Sequence, residues 1–187
     1  EGRQEPNAYA TPQEAIRAAI SGPEGTVAVV GPVGSRPGYA RVSLGTPNGM
    51  AMTADIPLPG DSVRMLPLNW NIAGGKLLAS TMEPVLHTAV AGRHLLVLFN
   101  EEGGSLTLSD DFRLRHQRGP VEAERAGGVL TLRLGASRLT SLLLDGPDGP
   151  LQLLALDAYL ANRVWPLDDR WRTTPCRDAA WNPAPEE

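Results

Sequence analysis

The clearest strand pattern occurs in two short stretches, Ser105-Leu106-Thr107-Leu108 and Val129-Leu130-Thr131-Leu132-Arg133-Leu134. In each, leucines alternate with polar residues, and successive side chains of an extended chain fall on opposite faces. This alternation is typical of antiparallel strands with one buried face and one face in water. The two stretches therefore predict half-buried β-strands.

Outward from these strands, further β-rich runs recur about every ten residues, bounded by Gly, Pro, Asn and Asp. Turn-forming residues separate them, as at Glu101–Gly104 and Asp145–Pro150. The pattern predicts a mainly β chain, built as an antiparallel β-sandwich or as stacked sheets. The remaining candidate strands are Thr26–Val30, Tyr39–Leu44, Met50–Ile56, Ser62–Leu66, Leu77–Thr81, His94–Phe99, Phe112–His116 and Leu151–Leu156.

Two short helices are expected at the ends of this β region. Thr11 is a good N-cap, Pro12 suits the first helical position, and Ser21-Gly22-Pro23 is a stop signal, so a helix is predicted over Gln13–Ile20. A second short helix is predicted over Asp157–Asn162, with Asp157 as its cap.

These elements divide the 187 residues into three segments. Residues 1–24 are predicted to be a linker with the short helix, 25–166 an antiparallel β domain, and 167–187 an irregular C-terminal tail or linker. Because the chain begins at Glu1 rather than Met, we expect it to be processed or to be a piece of a larger protein.

Composition narrows the range of partners. The 17 basic residues are scattered and the net charge is −4, which argues against nucleic acid and against an anionic membrane surface. The sequence has no apolar run of transmembrane length, so the chain is expected to be soluble. Cys176 is the only cysteine, and no metal site or cofactor is predicted. The compartment stays open, with secretion or the periplasm among the options.

No catalytic residue is predicted from the sequence. It contains no phosphate-binding loop, no nucleophile elbow and no zinc-protease pattern. The three histidines, His87, His94 and His116, are expected to be surface or structural residues. Glu83 and His87 have the ingredients of an acid–base pair, but four residues of extended chain separate them by ~13 Å.

Four segments, in order, resemble glycoside hydrolase family 35, the β-galactosidases. Ile56–Pro67 (IPLPGDSVRMLP) is similar to a segment that follows the catalytic barrel in that family, and Leu77–Glu83 (LLASTME) is similar to its next strand. His94–Gly103 (HLLVLFNEEG) and Leu153–Trp165 (LLALDAYLANRVW) resemble a later strand and a strand-to-helix step.

The resemblance implies a non-catalytic β domain packed beside a (β/α)₈ barrel. In the family the nucleophile and the acid/base glutamates lie in the barrel, which needs ~200 residues or more, and nothing in this chain matches it. No catalytic residue is therefore carried over. The implied partners are the catalytic barrel of the parent enzyme and a galactose-containing saccharide.

Two alternatives remain open. One is a carbohydrate-binding module in which exposed tryptophans stack on sugar rings, because an aromatic face suits the C–H surface of a pyranose. The other is an interaction domain without a sugar role. The carbohydrate-contact candidates are Trp70, Trp171 and Glu83.

Overall fold

The structure, a computed structural model, describes residues 15–34, 37–45, 51–58, 60, 63–162, 164–167 and 170–173. In that part of the chain nearly all regular structure is β, and one short helix interrupts the strands. The strands are β1 (Ala15–Gly22), β2 (Gly25–Pro32), β3 (Gly38–Gly45), β4 (Ala51–Leu58), β5 (Arg64–Ile72), β6 (Gly75–Ser80), β7 (Glu83–Val90), β8 (Arg93–Phe99), β9 (Gly104–Ser109), β10 (Arg113–Arg118), β11 (Val121–Ala126), β12 (Val129–Leu134), β13 (Leu139–Gly146), β14 (Gly149–Leu156), β15 (Val164–Leu167) and β16 (Arg170–Thr173). The helix is α1 (Ala158–Ala161).

Two large sheets form the body of the described molecule. The first has seven strands in the order β1-β2-β5-β6-β9-β12-β11, and the second has five in the order β10-β13-β14-β8-β7. Neighbouring strands are antiparallel except β14 and β8, which run parallel. The predicted mainly β architecture of stacked antiparallel sheets is confirmed.

The main core lies between these two sheets. Leucines that alternate with polar residues in β9 and β12 turn inward and meet leucines of β8, β13 and β14. Phe112 fills the end of this layer and is fully buried. Burying such side chains supplies the main favourable term in folding. The buried leucines of this core are Leu77, Leu96, Leu98, Leu106, Leu108, Leu130, Leu132, Leu134, Leu142, Leu144, Leu151 and Leu153.

The β3–β4 hairpin makes a second core with β2, β5 and β6. Its residues Ile56 and Leu58 are fully buried, and they pack with Val30 and Leu66 of the seven-stranded sheet. The hairpin therefore covers one side of that sheet near β2.

Helix α1 covers the outer side of the five-stranded sheet. It packs on a third cluster that includes Leu95, Val97 and Leu154. The Asp157 carboxylate accepts the N–H of Leu160 at 2.9 Å and caps the helix, which ends at Asn162. The prediction of a short helix over Asp157–Asn162 is confirmed.

The helix predicted over Gln13–Ile20 is wrong where the structure describes it, because residues from Ala15 onward form strand β1. All eight residues of β1 pair with β2, from Ala15 opposite Pro32 to Gly22 opposite Gly25. The Ser21-Gly22-Pro23 breaker thus ends a strand and begins a two-residue hairpin turn. An isolated helix of this length is marginal in water, whereas a paired strand gains ladder hydrogen bonds. Gln13 and Glu14 lie outside the described residues.

Four described strands were absent from the prediction before residue 160: β1, β7, β11 and β13. After α1, strands β15 and β16 pair from Val164 opposite Thr173 to Leu167 opposite Arg170, so regular structure continues beyond Pro166. Cys176 lies outside the described residues.

Candidate functional site

Trp70 and Glu83, the two carbohydrate-contact candidates whose side chains the structure describes, make contacts with different residues. Glu83 begins β7 and Trp70 lies near the end of β5. Trp171 belongs to β16, where it pairs with Pro166, and its side chain lies outside the described residues.

The Glu83 carboxylate joins β7 to β5. Its Oε2 accepts a hydrogen bond from Arg64 Nη1 at 2.6 Å, and its Oε1 accepts the backbone N–H of Met65 at 2.9 Å. Both side chains of the ion pair are about four-fifths buried, with 18% and 20% exposed. The Glu83 carboxylate therefore accepts a backbone hydrogen bond at the start of β5 that a neighbouring strand would otherwise accept. Both of its oxygens already accept hydrogen bonds.

Trp70 is a half-buried side chain of the main core. Its Nε1 donates to the carbonyl oxygen of Thr26 at 2.9 Å. Its ring lies 6.2 Å from the ring of His87, at an interplanar angle of 35°. Because the indole N–H of Trp70 is hydrogen-bonded and His87 lies against its ring, we interpret Trp70 as a structural residue and not as a sugar-stacking surface.

A cavity of about 460 Å³ lies beside this Trp70–His87 contact. It opens at the end of the sandwich where four hairpins turn, and we call it the hairpin-end cavity. Each of the four hairpins contributes at least one polar or titratable side chain to its wall, and these are Glu24, Asn71, His87, His94 and Asp148.

The four turns are held together by their main chains. The Asn71 N–H donates to the Glu24 carbonyl at 2.9 Å, and the Asp148 N–H donates to the Ala73 carbonyl at 3.0 Å. Gly149 has φ of +130°, and a Cβ there would collide with the carbonyl oxygen of Gly92. The walls of the cavity are thus fixed to one another by backbone contacts, which favours a preformed site.

Strand register brings the two histidines to the same wall. His94 lies opposite Ala89, and His87 lies opposite Leu96, so both imidazoles are on the inner face of the β7–β8 pair. The pKa of His87 is lowered, first by burial, which disfavours the imidazolium, and second by His94. The Glu24 carboxylate acts in the opposite direction and is the weaker influence.

The rest of the wall is rich in hydrogen-bond acceptors. Among the described residues, the carboxylates of Glu24 and Asp148 form no ion pair. The Asn71 amide is already used, because its Oδ1 accepts from Lys76 Nζ at 3.0 Å. Two carboxylates and two imidazoles therefore face the cavity.

Local sequence patterns do not predict this site, although His87 and His94 are candidate residues in the sequence. The histidines are expected from the sequence to be surface or structural residues, and strand β7 is not predicted, so the hairpin that joins β7 to β8 through Ala91-Gly92 is missed. An X-Gly pair between two apolar runs is a hairpin signal, and pairing those runs would have placed the two imidazoles diagonally across the strands.

A second cavity, of about 300 Å³, lies beneath the β3–β4 hairpin. Two of its four charged residues, Arg64 and Asp55, are already paired. Arg64 binds Glu83 and lies 5.7 Å from the ring centre of Phe99, and Asp55 accepts two hydrogen bonds from Arg41. We therefore regard the hairpin-end cavity as the better candidate site.

In the described part of the chain, no group of three or more His, Cys, Asp or Glu side chains is placed to hold a metal ion. Nor do the described helices include one long and apolar enough to cross a membrane.

The sequence was compared with models of known protein families and with curated proteins. No family model matches, and no curated protein matches.

Proposed function

We propose that this chain is a non-catalytic accessory β domain of a β-galactosidase-like glycoside hydrolase, and that it supports a (β/α)₈ catalytic barrel outside the chain. The observation that carries the proposal is an uncovered apolar surface on the seven-stranded sheet. We call it the open apolar face, and it consists of Ala18, Ile20, Val27, Val29, Val63 and Met65.

Strand register makes this face continuous. Ile20 lies opposite Val27, and Ala18 lies opposite Val29, which in turn lies opposite Met65. A Cβ on Gly31 would lie 3.2 Å from Val63 Cγ2, so the row extends past the start of β5. Side chains paired across a sheet share one face, so these residues form a single surface across three strands.

The face is exposed because it lies on the outer side of the seven-stranded sheet, away from the main core and from the β3–β4 hairpin. Ile20, Met65 and Val63 are 67%, 54% and 53% exposed. The other side of β2 and β5 carries Val30 and Leu66, which are buried under the β3–β4 hairpin.

An apolar strip of this kind is typical of a surface that another domain covers. Burying the exposed part of each large side chain would contribute about 1 kcal/mol to the free energy of docking between the two domains. The resemblance to family 35 supports a catalytic barrel as the neighbour, since the helices on the outside of a barrel offer a complementary surface. The ion pair between Arg64 and Glu83 lies next to Met65 and would keep this part of the sheet rigid.

The proposal has a direct test in the reading frame that encodes the chain. Upstream of Glu1 we expect a (β/α)₈ pattern of strand and helix with paired catalytic glutamates. In that longer protein, Ile20→Lys combined with Met65→Lys should shorten the half-life of hydrolase activity on heating. Ala123→Lys, an exposed alanine on β11 at the far edge of the same sheet, is the matched control.

A frame without a barrel contradicts the proposal. So does equal heat inactivation of the double variant and the control. Hydrolysis of an aryl β-galactoside by the purified chain alone, if it survives repurification, also contradicts it, because the proposal places all catalytic groups in the barrel.

A further inference from the structure

We propose that the hairpin-end cavity binds one neutral sugar residue, whose hydroxyl groups donate to the carboxylates of Glu24 and Asp148 and bond to the imidazoles of His87 and His94. This inference is independent of the docking role, because the cavity lies at the ends of the hairpins and the open apolar face lies on the strands.

The charge of the wall selects the ligand class. The residues that line the cavity include the two carboxylates and contain no lysine or arginine. Since no described residue forms an ion pair with either carboxylate, their oxygens are available as acceptors. A phosphorylated or carboxylated ligand would meet repulsion there, whereas a ligand rich in hydroxyl groups can donate hydrogen bonds to both carboxylates.

The imidazoles fit the same ligand. A lowered pKa keeps His87 neutral near pH 7, and a neutral imidazole has one nitrogen that donates and one that accepts. A hydroxyl group both donates and accepts, so it can bond to either nitrogen. Trp70 lies behind His87, at 6.2 Å between the ring centres, and acts as a positioning residue for that imidazole.

Apolar atoms complete the wall. Ile72, Ala73 and Ala89 also line the cavity, and the first two are almost fully buried. A pyranose presents hydroxyl groups at its edges and C–H groups on its faces, so it needs a wall with both kinds of surface. The volume of about 460 Å³ is in the range of small-ligand sites.

The shape of the cavity is also fixed before a ligand binds, by contacts between its turns. Gly74 has φ of +78°, and a Cβ there would lie 2.5 Å from Asp148 Cγ and 2.8 Å from the Asp148 nitrogen. The β5–β6 turn and the β13–β14 turn are therefore in close contact, and the Asp148–Ala73 main-chain hydrogen bond fixes them in register. A preformed wall lowers the ordering cost of binding.

The test is a titration followed by two-dimensional ¹H–¹⁵N NMR of the whole chain. The probes are galactose, glucose, mannose and lactose, with putrescine as a cationic probe and inorganic phosphate as an anionic one. We expect saturable shifts for at least one sugar, with Kd in the range of ~1–10 mM, confined to amides of residues 71–75, 87–94 and 148.

Two isosteric substitutions, combined in one double variant, remove the negative charges of the cavity wall and keep the shapes of the side chains. Glu24→Gln combined with Asp148→Asn should weaken sugar binding at least about tenfold, which corresponds to about 1.4 kcal/mol. Glu122→Gln on β11, an exposed carboxylate at the other edge of the seven-stranded sheet, is the matched control and should bind as the parent does. The amide spectrum of each variant shows directly whether it is folded.

Three results would overturn the proposal. The first is no saturable shift with any of the sugars up to ~100 mM, well above the expected Kd. The second is sugar binding that the double variant leaves unchanged, or that shifts amides elsewhere. The third is saturable binding of putrescine or phosphate at the cavity with none of the sugars, which would assign the site to an ionic ligand.

Discussion

Arg64 and Glu83 connect the two sheets of the sandwich, with 2.6 Å between Nη1 and Oε2, while the second carboxylate oxygen accepts the N–H of Met65. Arg64 also donates to the Pro57 carbonyl at 3.3 Å and so reaches the β3–β4 hairpin. One ion pair thus holds three parts of the fold beside the open apolar face.

Replacing Glu83 should destabilise the protein. Glu83→Ala leaves the Arg64 guanidinium and the Met65 N–H without their acceptor, and we expect a loss of about 2–3 kcal/mol in the free energy of unfolding. Urea denaturation measures this loss. The matched control is Glu124→Ala, which breaks the pair with Arg133, where both side chains are more than half exposed. That change should cost under about 1 kcal/mol, and equal costs for the two variants would refute the role assigned to Glu83.

Removing a buried hydroxyl should stabilise the protein. Thr140 is fully buried, and its Oγ1 has no hydrogen-bond partner among the described residues. Thr140→Val keeps the shape of the side chain and removes the unpaired polar atom, so we expect a gain of up to about 1 kcal/mol. Thermal unfolding followed by circular dichroism would report a higher Tm. Thr107→Val, at a residue that does have a hydrogen-bonding or electrostatic interaction, should lower the Tm instead, and a lower Tm for both variants would contradict the prediction.

Stability should fall as the pH drops through the titration of His87. Burial and His94 lower the pKa of His87 below its ordinary value of 6.5, so the unfolded chain takes up its proton at a higher pH than the folded chain. The contribution is therefore present above pH 6.5 and is lost as the pH falls below that value. Urea midpoints between pH 8 and pH 5 measure the effect.

Two variants identify the group responsible. His87→Phe should remove part of the pH dependence, whereas His116→Phe, at an exposed position on edge strand β10, should leave it as it is. A pH dependence that His87→Phe leaves intact would assign the effect to another group.

The sequence predicted the strands whose apolar residues alternate clearly. Leu106 and Leu108 in β9 and Leu130, Leu132 and Leu134 in β12 turn inward as expected. It failed at β11, because Val121–Ala126 is a charged edge strand with five of its six residues exposed and so carries no apolar period. It failed at β7 because a bulge between Pro84 and Leu86 interrupts the alternation.

The hairpin-end cavity cannot be predicted from local sequence patterns. Glu24, Asn71, His94 and Asp148 are far apart in sequence, and only strand order and register bring their turns together. Trp70 was named for its residue type, and its actual role follows from a hydrogen bond to Thr26, 44 positions away. Short-range signals predict strands and turns, whereas sites of this kind depend on long-range pairing.

Amide hydrogen exchange of β1, β2 and β5, compared between the purified chain and the longer protein, tests whether a barrel covers the open apolar face. If a barrel covers the open apolar face, amides from Ala18 to Ile20 and around Met65 should exchange at least about tenfold more slowly in the longer protein, since a covered strand opens less readily. The amides of β11, at the far edge of the same sheet, should exchange equally in both. Equal exchange at Ala18–Ile20 and Met65 in the two proteins would contradict the accessory role.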